Sequence, residues 1–363
     1  MTCTANNVTC VVDSSIFWDI NRTLTHNRLF NIIVGNRGGG KSYGAKKKCV
    51  ENFINKGEQF GYIRRYKDDL KQPLETFFND ISQEFEGYES KTEGTKVYIR
   101  KTPEDPNEKW KDEHLAGYGF VLSTANNKKS ISYPKISTLI FDEFLLEVGS
   151  QRYLPDEVTK LLNLYETVAR PGSGHIRVTM FLLGNAISIT NPYFLYFDLR
   201  MPSRKDKNGK WIWKHPSKPI LVEDVRNEGF IDAKRNTEFG QLVDGTNYAD
   251  YSIENKFLLD NDTFIERKSK LARHYFSFVY KGKNFGVWYD YSEGKMWVSE
   301  SYDPSGFSYS FTMKDHSPNT MLFKSKNSAL YLKRFIEGFN QGIVYFETMN
   351  IKNMCYEILK MSM

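Results

Sequence analysis

The octapeptide Gly35-Asn36-Arg37-Gly38-Gly39-Gly40-Lys41-Ser42 narrows the choice of fold more than any other stretch of this 363-residue chain. It follows the apolar run Phe30-Asn31-Ile32-Ile33-Val34 and opens a segment of helical character. The pattern is therefore G-x-x-x-x-G-K-[ST] set between a strand and a helix. A loop that wraps a phosphate with its backbone N–H groups has little room for side chains, and glycines recur there for that reason. Lys41 is expected to bring a point charge to the β- and γ-phosphates and Ser42 a hydroxyl to Mg²⁺, while the helix N-terminus adds partial positive charge. The spacing predicts a nucleoside triphosphate site over residues 35–42. A glycine turn ahead of an ordinary helix is the alternative.

A second signal is Thr138-Leu139-Ile140-Phe141-Asp142-Glu143, a short apolar strand ending in two acids, the form of a Walker B element. Asp142 is expected to hold Mg²⁺ beside the glycine loop, and Glu143 to act as general base on the attacking water. The adjacent glutamate points to ATPases that drive translocation and remodelling. A guanine-reading Asn-Lys-x-Asp is missing, since Asn55-Lys56-Gly57-Glu58 and Asn255-Lys256-Phe257-Leu258 both lack its acid.

The rest of the chain sorts around these two motifs. Strands expected at Phe30–Val34, Gln59–Ile63, Ser137–Phe141 and Ile176–Leu183 alternate with helices expected over Lys41–Lys56, Leu74–Phe85 and Asp156–Ala169. A hairpin is expected near Lys96–Arg100 and Tyr118–Ser123. Such alternation predicts a parallel α/β sheet with its ligand at the carboxyl ends of the strands. From Pro202 to Pro219 the chain carries Arg204, Lys205, Lys207, Lys210, Lys214 and Lys218 with Trp211 and Trp213 between them. Regular structure is not expected there, and 203–260 reads as a connector. Beyond it, strands at Arg273–Tyr280, Asn284–Tyr289 and Lys295–Ser299 precede helices over Asn327–Asn340 and Asn350–Lys360, an α+β pattern resembling ribonuclease H. The expected domains are thus 1–202, 203–260 and 261–363.

Composition sets outer limits. A formal charge of +6 is too mild to argue nucleic-acid binding by itself. Cys3, Cys10, Cys49 and Cys355 lack any zinc-like spacing and read as free thiols in a reducing compartment. No signal peptide and no apolar run of membrane-spanning length is evident, so an intracellular protein without a membrane partner is expected.

Several further residues admit two readings. Asn185, at the end of the strand after Walker B, either senses the γ-phosphate or caps a turn. Arg170 ends an amphipathic helix and either complements the helix dipole or reaches into a neighbouring subunit's site. Arg64, Arg65 and Lys67 form a basic patch, as do Lys128 and Lys129; each is a solvated face or a nucleic-acid contact. The tryptophan-bearing connector is an RNA contact or a lysine-rich linker.

Together these residues resemble the DNA-packaging ATPases of phi29-like small tailed phages. The resemblance spans most of the chain and includes Gly57-Glu58-Gln59-Phe60, Ile63-Arg64-Arg65-Tyr66-Lys67, Tyr133-Pro134 through Phe144, Leu161-Leu162-Asn163-Leu164, Asn185-Ala186, Asn191-Pro192-Tyr193-Phe194-Leu195 and Asp244-Gly245-Thr246. It implies an ASCE-type P-loop ATPase domain, a small linker domain and a ribonuclease H-like C-terminal domain. It also implies a homopentameric ring on the prohead portal (connector), pumping double-stranded DNA with ATP and Mg²⁺. Packaging RNA is an implied partner, and a genome linked to a terminal protein is an admissible cargo. The protein would attach transiently to the prohead in the host cytoplasm and be absent from the mature virion. By position, Arg170 matches a trans-acting arginine finger, Lys129 a second trans-acting cation and Lys67 a lysine facing the DNA. The C-terminal strand Phe276–Gly282 offers Tyr280 and Lys281 where nucleases of this fold place an Asp, and Asp290 alone cannot hold two metals. No nuclease activity is expected. Rival readings are a ring helicase, a terminase that still cuts, and an adaptor that binds ATP without hydrolysing it.

Overall fold

The computed structural model describes residues 17–124, 131–146, 153–170, 177–185, 191–225, 228–246, 264–306, 308–323 and 330–362. Two compact units divide the chain at Leu258 and Leu259.

In the N-terminal unit the elements run α1 (Ile20–Leu24), β1 (Phe30–Gly35), α2 (Lys41–Lys56), β2 (Gln59–Arg64), α3 (Lys71–Glu75), β3 (Tyr88–Glu93), β4 (Lys96–Lys101), β5 (Leu115–Val121), β6 (Ile136–Asp142), α4 (Glu157–Val168), β7 (Thr179–Asn185), α5 (Pro192–Phe197), β8 (Trp211–Lys214), β9 (Ile220–Val225), α6 (Glu228–Arg235) and α7 (Glu238–Val243). The strands form one sheet in the order β3-β4-β5-β2-β6-β7-β1-β9-β8. Its middle, β5 to β9, is parallel, and antiparallel strands close both edges.

The central strands β1, β6 and β7 are apolar on both faces through their middles, Ile32–Val34, Leu139–Phe141 and Met180–Leu183, because both faces are covered. Side chains alternate between two layers with a period of two. Ile32 and Val34 of β1, Leu139 and Phe141 of β6, and Met180 and Leu182 of β7 pack toward Val158, Leu161 and Leu164 of α4 and Tyr193 and Phe194 of α5. Ile33, Ile140, Phe181 and Leu183 face the opposite way, toward Ala45, Cys49 and Val50 of α2. This double covering fixes the strand register, since a slip of one residue would exchange the two layers.

Two expectations change. The single helix expected over Leu74–Phe85 is two short pieces, α3 and a 3-10 turn at Asn79–Glu84. The bend between them lets the consecutive Phe77 and Phe78 both be buried, with Phe77 stacked on Phe60 at 4.4 Å. The stretch from Pro202 to Pro219, expected to be irregular, contains β8, which pairs with β9, and β9 pairs directly with β1. Lysines flanking β8 misdirected that reading, although charged residues are ordinary on a strand that ends a sheet. Trp213 packs against the core and Trp211 lies under the Lys205 ammonium at 6.0 Å, so both tryptophans have intramolecular partners. Residues 17–29 pack on the sheet, with Trp18 and Ile20 buried.

The C-terminal unit contains β10 (Arg273–Tyr280), β11 (Lys283–Asp290), β12 (Lys295–Ser299), β13 (Ser308–Ser310), β14 (Met321–Leu322), α8 (Leu330–Asn340), β15 (Val344–Phe346) and α9 (Met349–Ser362). The sheet order is β14-β13-β10-β11-β12-β15, with β10 to β12 an antiparallel meander and the other pairings parallel. The short strands β13, β14 and β15 carry too few residues to show a period and were not expected. Among the described residues no helix is long and apolar enough to cross a membrane.

Candidate nucleotide site

Strand β1 ends at Gly35, where an added Cβ would lie 2.8 Å from the Val225 Cβ of β9, so the loop starts where only a hydrogen fits. At Gly40, the N-cap of α2, φ is +77° and no side chain caps the helix. The first-turn N–H groups are thus presented to an anion rather than to a capping oxygen. Lys41 folds back over the loop and donates to the Gly35 carbonyl at 3.0 Å, the Asn36 carbonyl at 2.7 Å and the Asn185 Oδ1 at 3.4 Å. Burial pulls its pKa down to about 8, and the Asp142 charge opposes part of that shift.

The two sequence motifs meet here. Ser42 Oγ donates to Asp142 Oδ1 at 3.0 Å, across 100 positions of sequence, and Tyr62 donates to Asp142 Oδ2 at 2.9 Å. Burial, with the neighbouring carboxylate, pushes the Tyr62 phenol well above its ordinary pKa, so it remains a donor. Asp142 Oδ1 also accepts from the Glu143 N–H at 3.1 Å. Glu143 sits at φ +58°, a left-handed backbone that turns its mostly exposed side chain away from the strand. A serine hydroxyl beside a carboxylate is a hard oxygen pair suited to Mg²⁺, which takes few protein ligands and keeps waters and phosphates for the rest.

Arg64 and Arg65 are corrected by this geometry. Both are buried, at 9 % and 3 % exposure, and cannot form an exposed patch for DNA. Arg64 pairs with Glu143 at 2.9 Å and donates to the carbonyls of Asp69 and Asp142. Arg65 makes two 2.9 Å bonds to the Glu157 carboxylate and donates to the carbonyls of Phe144 at 2.6 Å and Glu143 at 3.2 Å. Glu157 also accepts from Tyr193 at 2.6 Å and from the Leu154 N–H at 2.7 Å. These arginines brace the turn that carries the two acids. Tyr62 and Glu157 were not foreseen, since nothing local in the sequence links them to residues about 80 to 90 positions away.

Residues 12–363 match the family described as podovirus DNA encapsidation protein (Gp16). The chain belongs to this family. It is 37 % identical over 350 residues to the DNA packaging protein of Bacillus phage phi29, which covers 96 % of this chain and 98 % of the relative. With the corresponding protein of Bacillus phage B103 it is 38 % identical over 338 residues, covering 93 % and 98 %. A solved structure of the bacteriophage Phi-29 viral genome packaging motor assembly superposes with TM-score 0.73 at 36 % identity, covering 95 % of this chain and 99 % of that one.

The remaining predicted residues fall in different places. Asn185 ends β7, the strand between β6 and β1, and its amide oxygen accepts from Lys41 at 3.4 Å. Arg170 is exposed just beyond α4, and Lys67 is exposed on the turn after β2. Lys128 and Lys129 lie outside the described residues. A cavity of about 680 Å³ adjoins the loop, lined by Phe17, Trp18, Gly40, Tyr43, Lys47 and Glu84 among others. The Trp18 backbone N–H donates to the Gly39 carbonyl at 3.1 Å, which ties this wall to the loop.

In the C-terminal unit Asp290 is engaged as a turn cap. It accepts from Ser269 Oγ at 2.7 Å, Ser292 Oγ at 2.5 Å and the Ser292 N–H at 2.8 Å. These bonds, led by that from Ser269, pull its pKa down to about 2. Among the described residues no group of three His, Cys, Asp or Glu side chains is arranged to hold a metal.

Proposed function

We infer that the crevice between residues 35–42 and the tip of β6 binds and hydrolyses ATP, and that the chain uses this hydrolysis to move double-stranded viral DNA into the prohead. The observation that carries the reading is the Ser42–Asp142 hydrogen bond, which joins the glycine loop to the acidic strand end at 3.0 Å. Ser42 and Asp142 are the residues that would hold Mg²⁺, which when bound neutralises charge on the β- and γ-phosphates. The loop amides and Lys41 hold the phosphates, and the aromatic-walled cavity at Phe17, Trp18 and Tyr43 has room for the base. Glu143 takes the proton of the attacking water, its direction set by the Arg64 ion pair at 2.9 Å. Asn185 responds to the terminal phosphate, a reading supported by its bond from Lys41.

The chain acts as a ring of identical subunits at the portal, with five the expected number. Arg170 of one subunit, and Lys129, complete the site of the next by neutralising charge in the transition state. Lys67 grips DNA through its phosphates, so translocation is independent of sequence and weakens with salt. The C-terminal unit serves as a ribonuclease H-like docking module for packaging RNA or portal, without nuclease activity, because its one candidate carboxylate is committed to a turn. The work takes place at the prohead in the host cytoplasm, and the protein leaves before the virion matures.

The test is ATP turnover measured with DNA-free proheads, with duplex DNA, and with both. Joint stimulation well above either alone is expected. Turnover indifferent to both would reject the motor reading, and unwinding of a tailed duplex would favour a helicase.

A further inference from the structure

Helix α6 places a further cation at the glycine loop. Lys234 donates from Nζ to the carbonyl of Arg37 at 3.3 Å, although 197 positions separate them. It is brought there because β9 runs beside β1 in parallel register, Gly35 opposite Val225, and α6 starts three residues beyond that pair. The contact between Gly35 and Val225 is too close for a side chain on Gly35, so the carboxyl end of β9 is seated on the loop itself.

Positive groups from three separate elements therefore gather on one loop: Lys41 from α2, Arg37 from the loop and Lys234 from α6. Like charges repel, the Asp142 and Asp224 carboxylates offset part of that repulsion at Lys41, and an anion bound on the loop would offset more. Burial and then the Arg37 charge lower the pKa of Lys234. The position along the loop is also informative. The helix N-terminus and its adjoining amides take the inner phosphates. Arg37 lies four residues before α2, at the other end of the loop, where the terminal phosphate of a triphosphate projects.

We propose that Lys234 is a phosphate-binding residue supplied in cis by α6, directed at the terminal phosphate, and that α6 thereby distinguishes a bound triphosphate from a diphosphate. The proposal rests on the reading of residues 35–42 as the ATP site. The α6–α7 pair follows the ATPase sheet directly and precedes the C-terminal unit. A contact made only with a triphosphate would give that segment two states, and hydrolysis would switch between them.

The test is calorimetric binding of a non-hydrolysable ATP analogue and of ADP, both with Mg²⁺, to the full chain. Lys234→Gln should weaken the analogue about tenfold and ADP by less than about threefold, and Lys234→Arg should restore analogue binding, because a charge-assisted bond is involved. Equal loss for both nucleotides, or loss for neither, overturns the proposal. Amide hydrogen exchange in the wild-type chain decides the matter even if the variant does not fold: the analogue should slow exchange across residues 228–235 more than ADP does, and identical protection refutes the sensing role. A wild-type chain that binds neither nucleotide would instead overturn the ATP site.

Discussion

Arg65→Ala tests whether the arginine after β2 is a structural brace or a DNA contact. The Glu157 side chain is fully buried and Arg65 is 3 % exposed, with two 2.9 Å bonds between them. Removing the guanidinium leaves a buried carboxylate with Tyr193 and the Leu154 N–H as its remaining donors among those described above, and costs about 3–5 kcal/mol. The carbonyls of Phe144 and Glu143 lose a donor as well. With a urea slope of about 3 kcal/mol per M, the unfolding midpoint of the N-terminal unit should fall by about 1–2 M. The double variant Arg65→Met, Glu157→Gln should recover more than half of that loss, because a neutral replacement of a buried pair costs little. Urea titration of the wild type, Arg65→Met, Glu157→Gln and the double variant gives the coupling directly. A single variant with an unchanged midpoint but weakened, salt-dependent DNA binding would refute the bracing role and return Arg65 to the DNA surface.

Three further outcomes rest on the same geometry. Lys41 titrates near pH 8, carries its charge below that value and loses it above, so ATP affinity should be level below pH 8 and fall by up to about tenfold per pH unit above it; a flat profile to pH 9.5 in calorimetry would separate Lys41 from phosphate binding. Gly61→Ala would set a Cβ 2.4 Å from Leu139 Cδ2 and 2.7 Å from Phe120 Cε2, and this overpacking should cost about 1–3 kcal/mol in chemical denaturation, an unchanged midpoint contradicting it. Asp290 has a depressed folded-state pKa, so its contribution is complete above pH 4 and is lost as pH falls toward 2. Asp290→Asn should reduce the acid sensitivity of the C-terminal unit, and neither form should nick DNA with Mn²⁺; cleavage by the wild type that the variant lacks would restore a nuclease.

The sequence exposed those parts of the fold in which burial and chemistry coincide along a short stretch. Strands β1, β6 and β7 have unbroken apolar middles because both faces are covered, and the glycine loop and Asp142-Glu143 announce their roles locally. What stayed hidden depends on distant partners. Arg64 and Arg65 look like a solvated basic patch until Glu143 and Glu157 are brought to them from other elements. Strand β8 looks like a linker because its lysines suit the edge of a sheet, and β9 is recognisable as a strand chiefly by its neighbour β1. The bend after α3 follows from burying Phe77 and Phe78 together, which a propensity pattern does not show. Lys234 carries no motif and is defined by where β9 delivers α6.

The central claim, that hydrolysis at Glu143 powers DNA movement, is tested most directly by the length of duplex protected from added nuclease inside proheads. With wild-type protein and ATP·Mg²⁺ that length should grow to the whole substrate, and with Glu143→Gln protein, which still binds ATP, it should stay at background. Protection by the variant equal to wild type would contradict the claim.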